Sequence, residues 1–90
     1  MQYKVVFTSE SQQDVHKLSF KAPFAIKKLG KLIEELRDHP RTGTGKAERL
    51  KYFSQDEVWS RRITQQHRLV YCIREEIAEV WVLSVYGHYE

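Results

Sequence analysis

Hydrophobic and polar positions follow two different periods along this chain. Between Pro23 and Pro40 the apolar residues recur every three or four positions, at Ile26, Leu29, Leu32, Ile33 and Leu36. This spacing is typical of one buried helix face. After residue 48 the pattern changes to short β-branched and aromatic segments separated by polar turns, in "RLKYFS", "VWSRRIT", "RLVYCIRE" and "IAEVWVLSVYG". These segments predict four strands in an antiparallel meander.

The residues before Pro23 add a strand and another helix. The segment "YKVVFT" is β-branched and aromatic and predicts an opening strand. Ser9 is a predicted helix N-cap, with Gln12 three residues on as its capping-box partner, and this helix should run to about Lys21. Pro23 suits the start of the next helix, and Pro40 ends it because the residue before a proline avoids the α conformation.

The order of elements predicts an α+β fold with the sequence β-α-α-β-β-β-β. Two helices are expected to pack on one face of a small, mainly antiparallel sheet. A length of 90 residues allows one hydrophobic core, so residues 1–90 are expected to form a single domain.

Strand alternation divides the residues of the meander between the two faces of the sheet, because successive side chains point to opposite sides. The prediction places apolar side chains on the helix-covered face and cations on the open face: Leu50, Ile63 and Leu69 on the former, Lys51, Arg62 and Arg68 on the latter. Arginine suits phosphate because its planar fork can bond two oxygens. Val70 and Cys72 follow Arg68 on the same face, so that face is not expected to be wholly exposed.

Charge is unevenly distributed and indicates a polyanionic partner. The net charge is +3, yet the stretch from Arg37 to Arg74 holds nine lysine and arginine residues against four acidic ones. A positive block of this kind favours binding to nucleic acid. A solvated basic face is the alternative, and composition alone leaves both open.

The cysteine content and the lengths of the apolar segments limit the kinds of site and the cellular location that are expected. The single cysteine excludes an internal disulfide and a cysteine-based zinc site, and Cys72 is expected to be a buried small apolar residue. No apolar stretch approaches the roughly 20 residues of a membrane span. The first residues lack the apolar length of a secretory signal, so no membrane association and a cytoplasmic location are expected.

The loop "HPRTGTGKAERLK" combines glycines, cations and one carboxylate, Glu48. "GTGK" is superficially like a nucleotide-binding phosphate loop, but Ala47 follows the lysine, a helix precedes and a strand follows, so that function is excluded. The four histidines show no paired metal-ligand spacing, and neither a metal nor a cofactor is expected.

Cleavage of RNA would use these residue types directly. RNA carries its own nucleophile, the 2′-hydroxyl, so cleavage needs a base for that hydroxyl, cations for the charge on phosphorus, and an acid for the leaving 5′-oxygen. Glu48 can supply the base, and His88 in "YGHYE" can supply the acid because histidine titrates near neutrality. The open-face cations Lys51, Arg62 and Arg68 can supply the charge.

The segments "GKAERLK", "VWSRRITQQHRLVY" and "GHY" carry a resemblance. They strongly resemble the YoeB/Txe-type toxins of the RelE/ParE superfamily, and the resemblance is most specific from Gly43 to Tyr71 and at the tail. It implies a RelE-like fold and a bacterial type II toxin that cleaves mRNA in the ribosomal A site and thereby stops translation.

The resemblance also implies roles for individual residues. Glu48 matches the family's general base, Arg68 the arginine that stabilises the scissile phosphate, and His88 the expected general acid. Tyr89 matches the adjacent functional tyrosine, which could grip an unstacked base. Basic residues of the same region are expected to contact substrate, namely Lys46, Lys51 and Arg62.

The implied partners are a cognate antitoxin that folds onto the toxin, the 70S ribosome with its mRNA, and, since toxins of this type are often dimeric, a second copy in a homodimer. Two other functions stay open. One is a gyrase-directed binding toxin on the same scaffold, against which the presence of both Glu48 and His88 argues. The other is a non-catalytic RNA-binding module, for which a basic sheet face would suffice.

Overall fold

A computed structural model describes residues 2–51 and 56–87 of the chain. Within these residues, two helices and five strands follow one another in the order β-α-α-β-β-β-β, as the sequence predicts. The helices are α1 (Ser9–Lys21) and α2 (Ala25–Asp38), and the strands are β1 (Lys4–Phe7), β2 (Glu48–Arg49), β3 (Glu57–Arg62), β4 (Arg68–Arg74) and β5 (Glu79–Ser84). A 3₁₀ turn, Glu75–Ile77, joins β4 to β5.

The five strands form one sheet in the order β1-β5-β4-β3-β2. Strands β2 to β5 are a continuous antiparallel meander, and β1 joins the far side of β5 in parallel. The predicted mainly antiparallel sheet is therefore confirmed. After the two helices the chain enters the sheet at its opposite edge, as β2, and the three antiparallel reversals of the meander bring β5 beside β1.

Both helices end close to the predicted residues, but the cap of α1 is not the predicted one. The hydroxyl of Thr8, not Ser9, accepts the backbone N–H of Ser11 at 3.1 Å, and the Gln12 amide bonds the carbonyl of Phe7. The predicted capping box of Ser9 and Gln12 is therefore wrong. The N-cap is Thr8, one residue earlier, because Thr8 is extended and its side chain can reach the N–H of Ser11. Helix α2 stops at Asp38, in agreement with the position of Pro40.

The main core fills the space between the helices and one face of the sheet. Leu18, Leu32, Leu36, Leu69, Val80 and Val82 are fully buried there. The helical pattern of α2 is confirmed, since Leu29, Leu32 and Leu36 are buried and Ile26 and Ile33 pack against them. Ile63 and Leu69 also face this core, as predicted.

The opposite, open face carries a smaller apolar cluster. Val58, Val70 and Cys72 are buried in it, and Leu50, Trp81 and Leu83 pack around them. Leu50 therefore lies on the open face, and its predicted place on the helix-covered face is wrong. Its backbone N–H bonds the Val58 carbonyl, which holds it beside this cluster. The open face has its own apolar surface to cover, so a leucine can be buried on either side.

The strand predicted at "RLKYFS" is shorter than expected within the described residues, covering Glu48 and Arg49.

Trp59 packs against the main core and Trp81 against the open-face cluster, and each indole N–H bonds a glutamate two residues before it. Neither helix of the described residues is long and apolar enough to cross a membrane.

Candidate active site

Glu48 lies on the same face of the sheet as two of the predicted cations. It stands directly opposite Ser60 of β3, and directly opposite residues in an antiparallel pair share a face. Arg62 is two positions after Ser60 and is itself directly opposite Arg68 of β4. Glu48, Ser60, Arg62 and Arg68 consequently share the open face, which we call the open-face site.

The spacing of the open-face site suits a phosphodiester. Glu48 and Arg68 are two strands apart and offset by two residues, which corresponds to about 12 Å between their Cα atoms. The Arg68 guanidinium lies 3.5 Å from the Ser60 hydroxyl, so it leans toward the position opposite Glu48. Carboxylate and guanidinium can thus approach one substrate group from two sides.

Arg62 and Arg68 place two like charges directly across a strand pair. Such a pair costs about 0.2–1 kcal/mol unless an anion lies between the charges. Arg62 is exposed and Arg68 half-buried. Within residues 2–51 and 56–87, none of the ion pairs involves Glu48, Arg62 or Arg68. The arrangement is typical of a surface that binds a phosphate group.

A buried arginine shapes the loop that leads to Glu48. Arg61 points to the helix side and is 0% exposed. Its guanidinium donates to the backbone carbonyls of His39 and Thr42 in the loop and to the Glu35 carboxylate of α2, while its Nε donates to the Tyr71 hydroxyl. Five donors in a fixed fork let one side chain tie the loop, a helix and the sheet together.

Further bonds fix the same loop. The Tyr71 hydroxyl donates to the Pro40 carbonyl at 2.7 Å, and burial raises the pKa of Tyr71, which keeps this donor protonated. The Thr44 hydroxyl and N–H both donate to Glu35. These bonds from Thr44, with help from Arg61, lower the pKa of Glu35 and keep it ionised. The loop is therefore fixed by a network of hydrogen bonds in which the polar groups of Arg61, Tyr71 and Glu35 all have partners.

Gly45 joins this loop to the open-face site. Its carbonyl accepts the backbone N–H of Arg62 at 2.6 Å. Its φ of +86° lies in the left-handed region, and an added Cβ would lie 2.8 Å from the Arg62 carbonyl oxygen. Glycine is required here because both the backbone angle and the close approach exclude a side chain.

The two predicted lysines lie at either end of β2. Lys46 follows Gly45, has a φ of 56° and is exposed. Lys51 is exposed in the turn after the strand. Because Leu50 belongs to the open face, strand alternation does not place Lys51 there, and its predicted grouping with Arg62 and Arg68 on that face is wrong.

The C-terminal tail approaches Arg68. The Arg68 backbone N–H donates to the Gly87 carbonyl at 3.0 Å, and the Gly87 N–H donates to Nδ1 of His67 at 2.9 Å. Gly87 is therefore bonded on both sides by consecutive residues of one strand end. His88 and Tyr89, the predicted acid and tyrosine, lie outside the described residues.

Other charged residues between Arg37 and Arg74 stabilise the fold and do not belong to the open-face site. At the far end of β3, Arg41 bonds the carboxylates of Glu57 and Glu75, and this bonding raises the pKa of Arg41 above its ordinary value. The same arginine lowers the pKa of Glu57. Arg41 and Arg61 are thus paired, so fewer charges are free for a ligand than the count from sequence indicates.

Cys72 is buried as predicted, and burial raises the pKa of its thiol, so it is a poor nucleophile. Histidine, cysteine and acidic side chains form no group of three or more suited to a metal ion within the described ranges. Among the described residues, the open-face site offers one carboxylate, Glu48, and two guanidinium groups, Arg62 and Arg68.

Sequence reasoning missed two residues that support the site, Arg61 and His67. The signal for Arg61 was available, since alternation places it with Ile63 on the helix-covered face, where a charge must be paired. His67 gave no such signal, because its contact with Gly87 joins distant parts of the chain.

Comparison with known proteins places the chain in a family. A family model described as the YoeB-like toxin of the bacterial type II toxin-antitoxin system matches residues 7–89. Toxin YoeB of Escherichia coli (strain K12) is 37% identical over 73 residues, which are 81% of this chain and 86% of that protein.

Solved structures agree with this assignment. A YoeB/ParE toxin from Agrobacterium tumefaciens has a TM-score of 0.84 and 32% identity, covering 96% of this chain and 99% of its own. YoeB from Staphylococcus aureus, solved as a dimer, has a TM-score of 0.79 and 27% identity, covering 99% of this chain and 100% of its own. YoeB from S. aureus has also been solved in a heterotetrameric toxin-antitoxin complex with YefM. The chain therefore belongs to the YoeB-like toxins of bacterial type II toxin-antitoxin systems.

Proposed function

We propose that this toxin is a ribosome-dependent endoribonuclease that cleaves mRNA in the A site and so stops translation. The observation that carries the proposal is the shared face of Glu48, Arg62 and Arg68, with Arg68 turned toward the position opposite Glu48. Membership of the YoeB-like toxins supports it further. The ribosome is expected to present the mRNA backbone to this face.

In the proposed reaction the 2′-oxygen attacks the adjacent phosphorus. The Glu48 carboxylate takes the proton of the 2′-hydroxyl as the new P–O bond forms. Arg62 and Arg68 bind the non-bridging oxygens, whose negative charge grows in the transition state. The P–O5′ bond then breaks, and His88 donates a proton to the leaving oxygen. The products are a 2′,3′-cyclic phosphate and a 5′-hydroxyl.

Three other residues are assigned to substrate binding in this proposal. Tyr89 stacks on or positions a base next to the scissile bond. Lys46 and Lys51 lie beside Glu48 in the chain and contact neighbouring phosphates as point charges. No metal or cofactor takes part in this proposal.

The proposed partners follow from the family and its solved complexes. We expect a cognate antitoxin to fold onto this chain, as the S. aureus complex of YoeB with YefM supports. The S. aureus YoeB dimer supports a homodimer here. Because its substrate would be ribosome-bound mRNA, the toxin is expected to act in the bacterial cytoplasm.

Primer extension on an mRNA programmed into 70S ribosomes tests the proposal. The wild-type protein should cut inside the A-site codon, and Glu48→Gln should lower the rate by about 10²–10⁴-fold, the usual contribution of a general base. Glu34→Gln is the matched control, because Glu34 is an exposed glutamate of α2 with a side chain 69% exposed. It should cut like wild type.

Each contrary result has a separate meaning. Wild-type cutting by Glu48→Gln would overturn the base assignment while leaving the nuclease intact. Intact mRNA after treatment with folded wild-type protein would overturn the nuclease function. Binding of the mRNA without cutting would then favour the RNA-binding module, and inhibition of a topoisomerase would favour the binding toxin.

A further inference from the structure

Each of the three residues Val85, Tyr86 and Gly87 after β5 makes its own contact with the rest of the fold. Asp14 of α1 accepts the backbone N–H of Val85 at 3.2 Å. The ring of Tyr86 contacts two side chains: the Nζ of Lys17 is 5.1 Å from its centroid, and the ring centroid of His67 is 4.6 Å away. These contacts leave little freedom to the two residues before Gly87.

Gly87 has the strongest constraint of the three. Its N–H donates to Nδ1 of His67 and its carbonyl accepts the N–H of Arg68. Its φ of +84° is in the left-handed region, and a Cβ added there would meet nothing within 4 Å. Glycine is therefore favoured here by the backbone angle and not by a lack of space for a side chain. The turn at Gly87 sets the direction of the chain after Tyr86.

His67 is well suited to hold this peptide. It is 7% exposed, and its own backbone is fixed by the tight turn between β3 and β4, where its carbonyl accepts from Ile63 and Thr64. The Thr64 hydroxyl accepts the His67 N–H at 3.1 Å. Because Nδ1 accepts from Gly87, the neutral ring carries its proton on Nε2.

We propose that His67 is a positioning residue, which fixes the Gly87 peptide beside Arg68 and thereby sets where the chain delivers His88. The inference rests on the proposed nuclease function for its catalytic part. Consecutive residues, His67 and Arg68, bond the N–H and the carbonyl of one residue, Gly87, which directly precedes the candidate acid in the chain. The backbone before that acid is thus tied to the arginine proposed to bind phosphate. A displacement of about 1 Å in such a constellation can cost about 100-fold in rate.

Two substitutions of His67 separate positioning from general structure. His67→Phe keeps a planar ring against Tyr86 but removes the acceptor, whereas His67→Asn keeps an oxygen acceptor near the position of Nδ1. His16→Phe is the matched control, because His16 is an exposed histidine that packs edge-on against Phe20, with 5.0 Å between ring centroids.

Hydrogen exchange of the Gly87 amide, followed by NMR, tests the anchoring without any reference to activity. The Gly87 amide should be protected in wild type and in His16→Phe, exchange fast in His67→Phe, and recover part of its protection in His67→Asn. Unchanged Gly87 protection in His67→Phe would overturn the anchoring. This readout stands even if the wild-type protein fails to cut mRNA, which would contradict the proposed function alone.

Cleavage kinetics on programmed ribosomes test the positioning. His67→Phe should lower kcat by about 100-fold with little change in KM, and His67→Asn should restore most of the rate. A folded His67→Phe that has lost Gly87 protection yet cleaves at the wild-type rate would overturn the inference.

Gly87→Ala is a second variant that leaves the core untouched, for use if His67→Phe does not fold. An alanine at this φ costs about 1–2 kcal/mol of backbone strain. It should therefore shift the peptide, increase exchange at residue 87 and lower kcat in parallel. Wild-type exchange and kcat in Gly87→Ala would contradict the inference.

Discussion

Arg61 and Arg62 are chemically identical neighbours that strand alternation sends to opposite sides of the sheet. Arg61 is fully buried and bonds the loop, α2 and Tyr71, whereas Arg62 is exposed on the open-face site. The first is a structural group and the second a candidate substrate ligand. Their difference lies entirely in environment, because burial makes each bond of Arg61 strong and each lost partner costly.

Removing Arg61 should destabilise the fold strongly. Arg61→Ala leaves Glu35 and several loop carbonyls without their partner, which typically costs about 3–5 kcal/mol. Urea unfolding followed by circular dichroism measures this change. Arg37→Ala is the control, because Arg37 and Glu34 are more than half exposed at 3.7 Å, and such pairs contribute at most about 1 kcal/mol. Equal losses in the two variants would contradict the structural role of Arg61.

Glu35 also makes stability depend on pH. Its folded pKa is lowered, first by the Thr44 hydroxyl and also by Arg61, while the unfolded value is ~4.3. Its contribution to the free energy of unfolding is therefore complete above the unfolded pKa and is lost as pH falls through the folded pKa. Glu35→Gln should be clearly less stable than wild type at pH 7, and the difference should shrink toward pH 3. A constant difference over this range in urea titrations would contradict the assignment.

At the scale of elements, the sheet was well predicted where each strand has a clear apolar side. Ile63 and Leu69 were assigned correctly because β3 and β4 alternate against a large core. Leu50 was misassigned because two faces can bury a leucine, and the alternation within one strand does not reveal its phase relative to the next. The pairing of Glu48 with Ser60 settles that phase and brings Glu48, not Lys51, to the open face.

The rest of the candidate site depends on contacts between distant parts of the chain. The Arg61 bonds to the loop, and the His67 bond to Gly87, join residues about 20 positions apart that no periodic pattern links. The capping rule misplaced the N-cap of α1, but hydrophobic periodicity and strand alternation predicted the order of the elements and the faces of Ile63 and Leu69. They could not predict how loops and the tail are fastened to them.

Gly45 tests the link between the loop and β3. Gly45→Ala should lower both stability and mRNA cleavage, since the new Cβ would lie too close to the Arg62 carbonyl and the φ is left-handed. Gly30→Ala is the control in α2, where a Cβ meets nothing within 4 Å, and it should raise stability by up to about 1 kcal/mol without affecting cleavage. Melting temperature and primer extension give the two readouts. Full activity in Gly45→Ala would contradict a role of this turn in the site.

At the scale of the whole molecule, the two faces of the sheet carry different groups of residues: the main core on one and the candidate site on the other. The helix-covered face holds the large core and the buried Arg61, and the open face carries a small apolar cluster with Glu48, Arg62 and Arg68 around it. The like-charged pair of Arg62 and Arg68 is destabilising by itself, as expected if the open face is the proposed binding site. The molecule thus presents a rigid support to whatever occupies its open face.

The chemical form of the cleaved RNA ends tests the central claim most directly. The upstream fragment from ribosome-bound mRNA can be isolated and its 3′ end identified by mass spectrometry. Attack by the 2′-hydroxyl predicts a 2′,3′-cyclic phosphate, or the 3′-phosphate formed when it hydrolyses, together with a 5′-hydroxyl on the downstream fragment. A 3′-hydroxyl with a downstream 5′-phosphate would mean that water attacked instead, and it would contradict the roles assigned to Glu48 and His88.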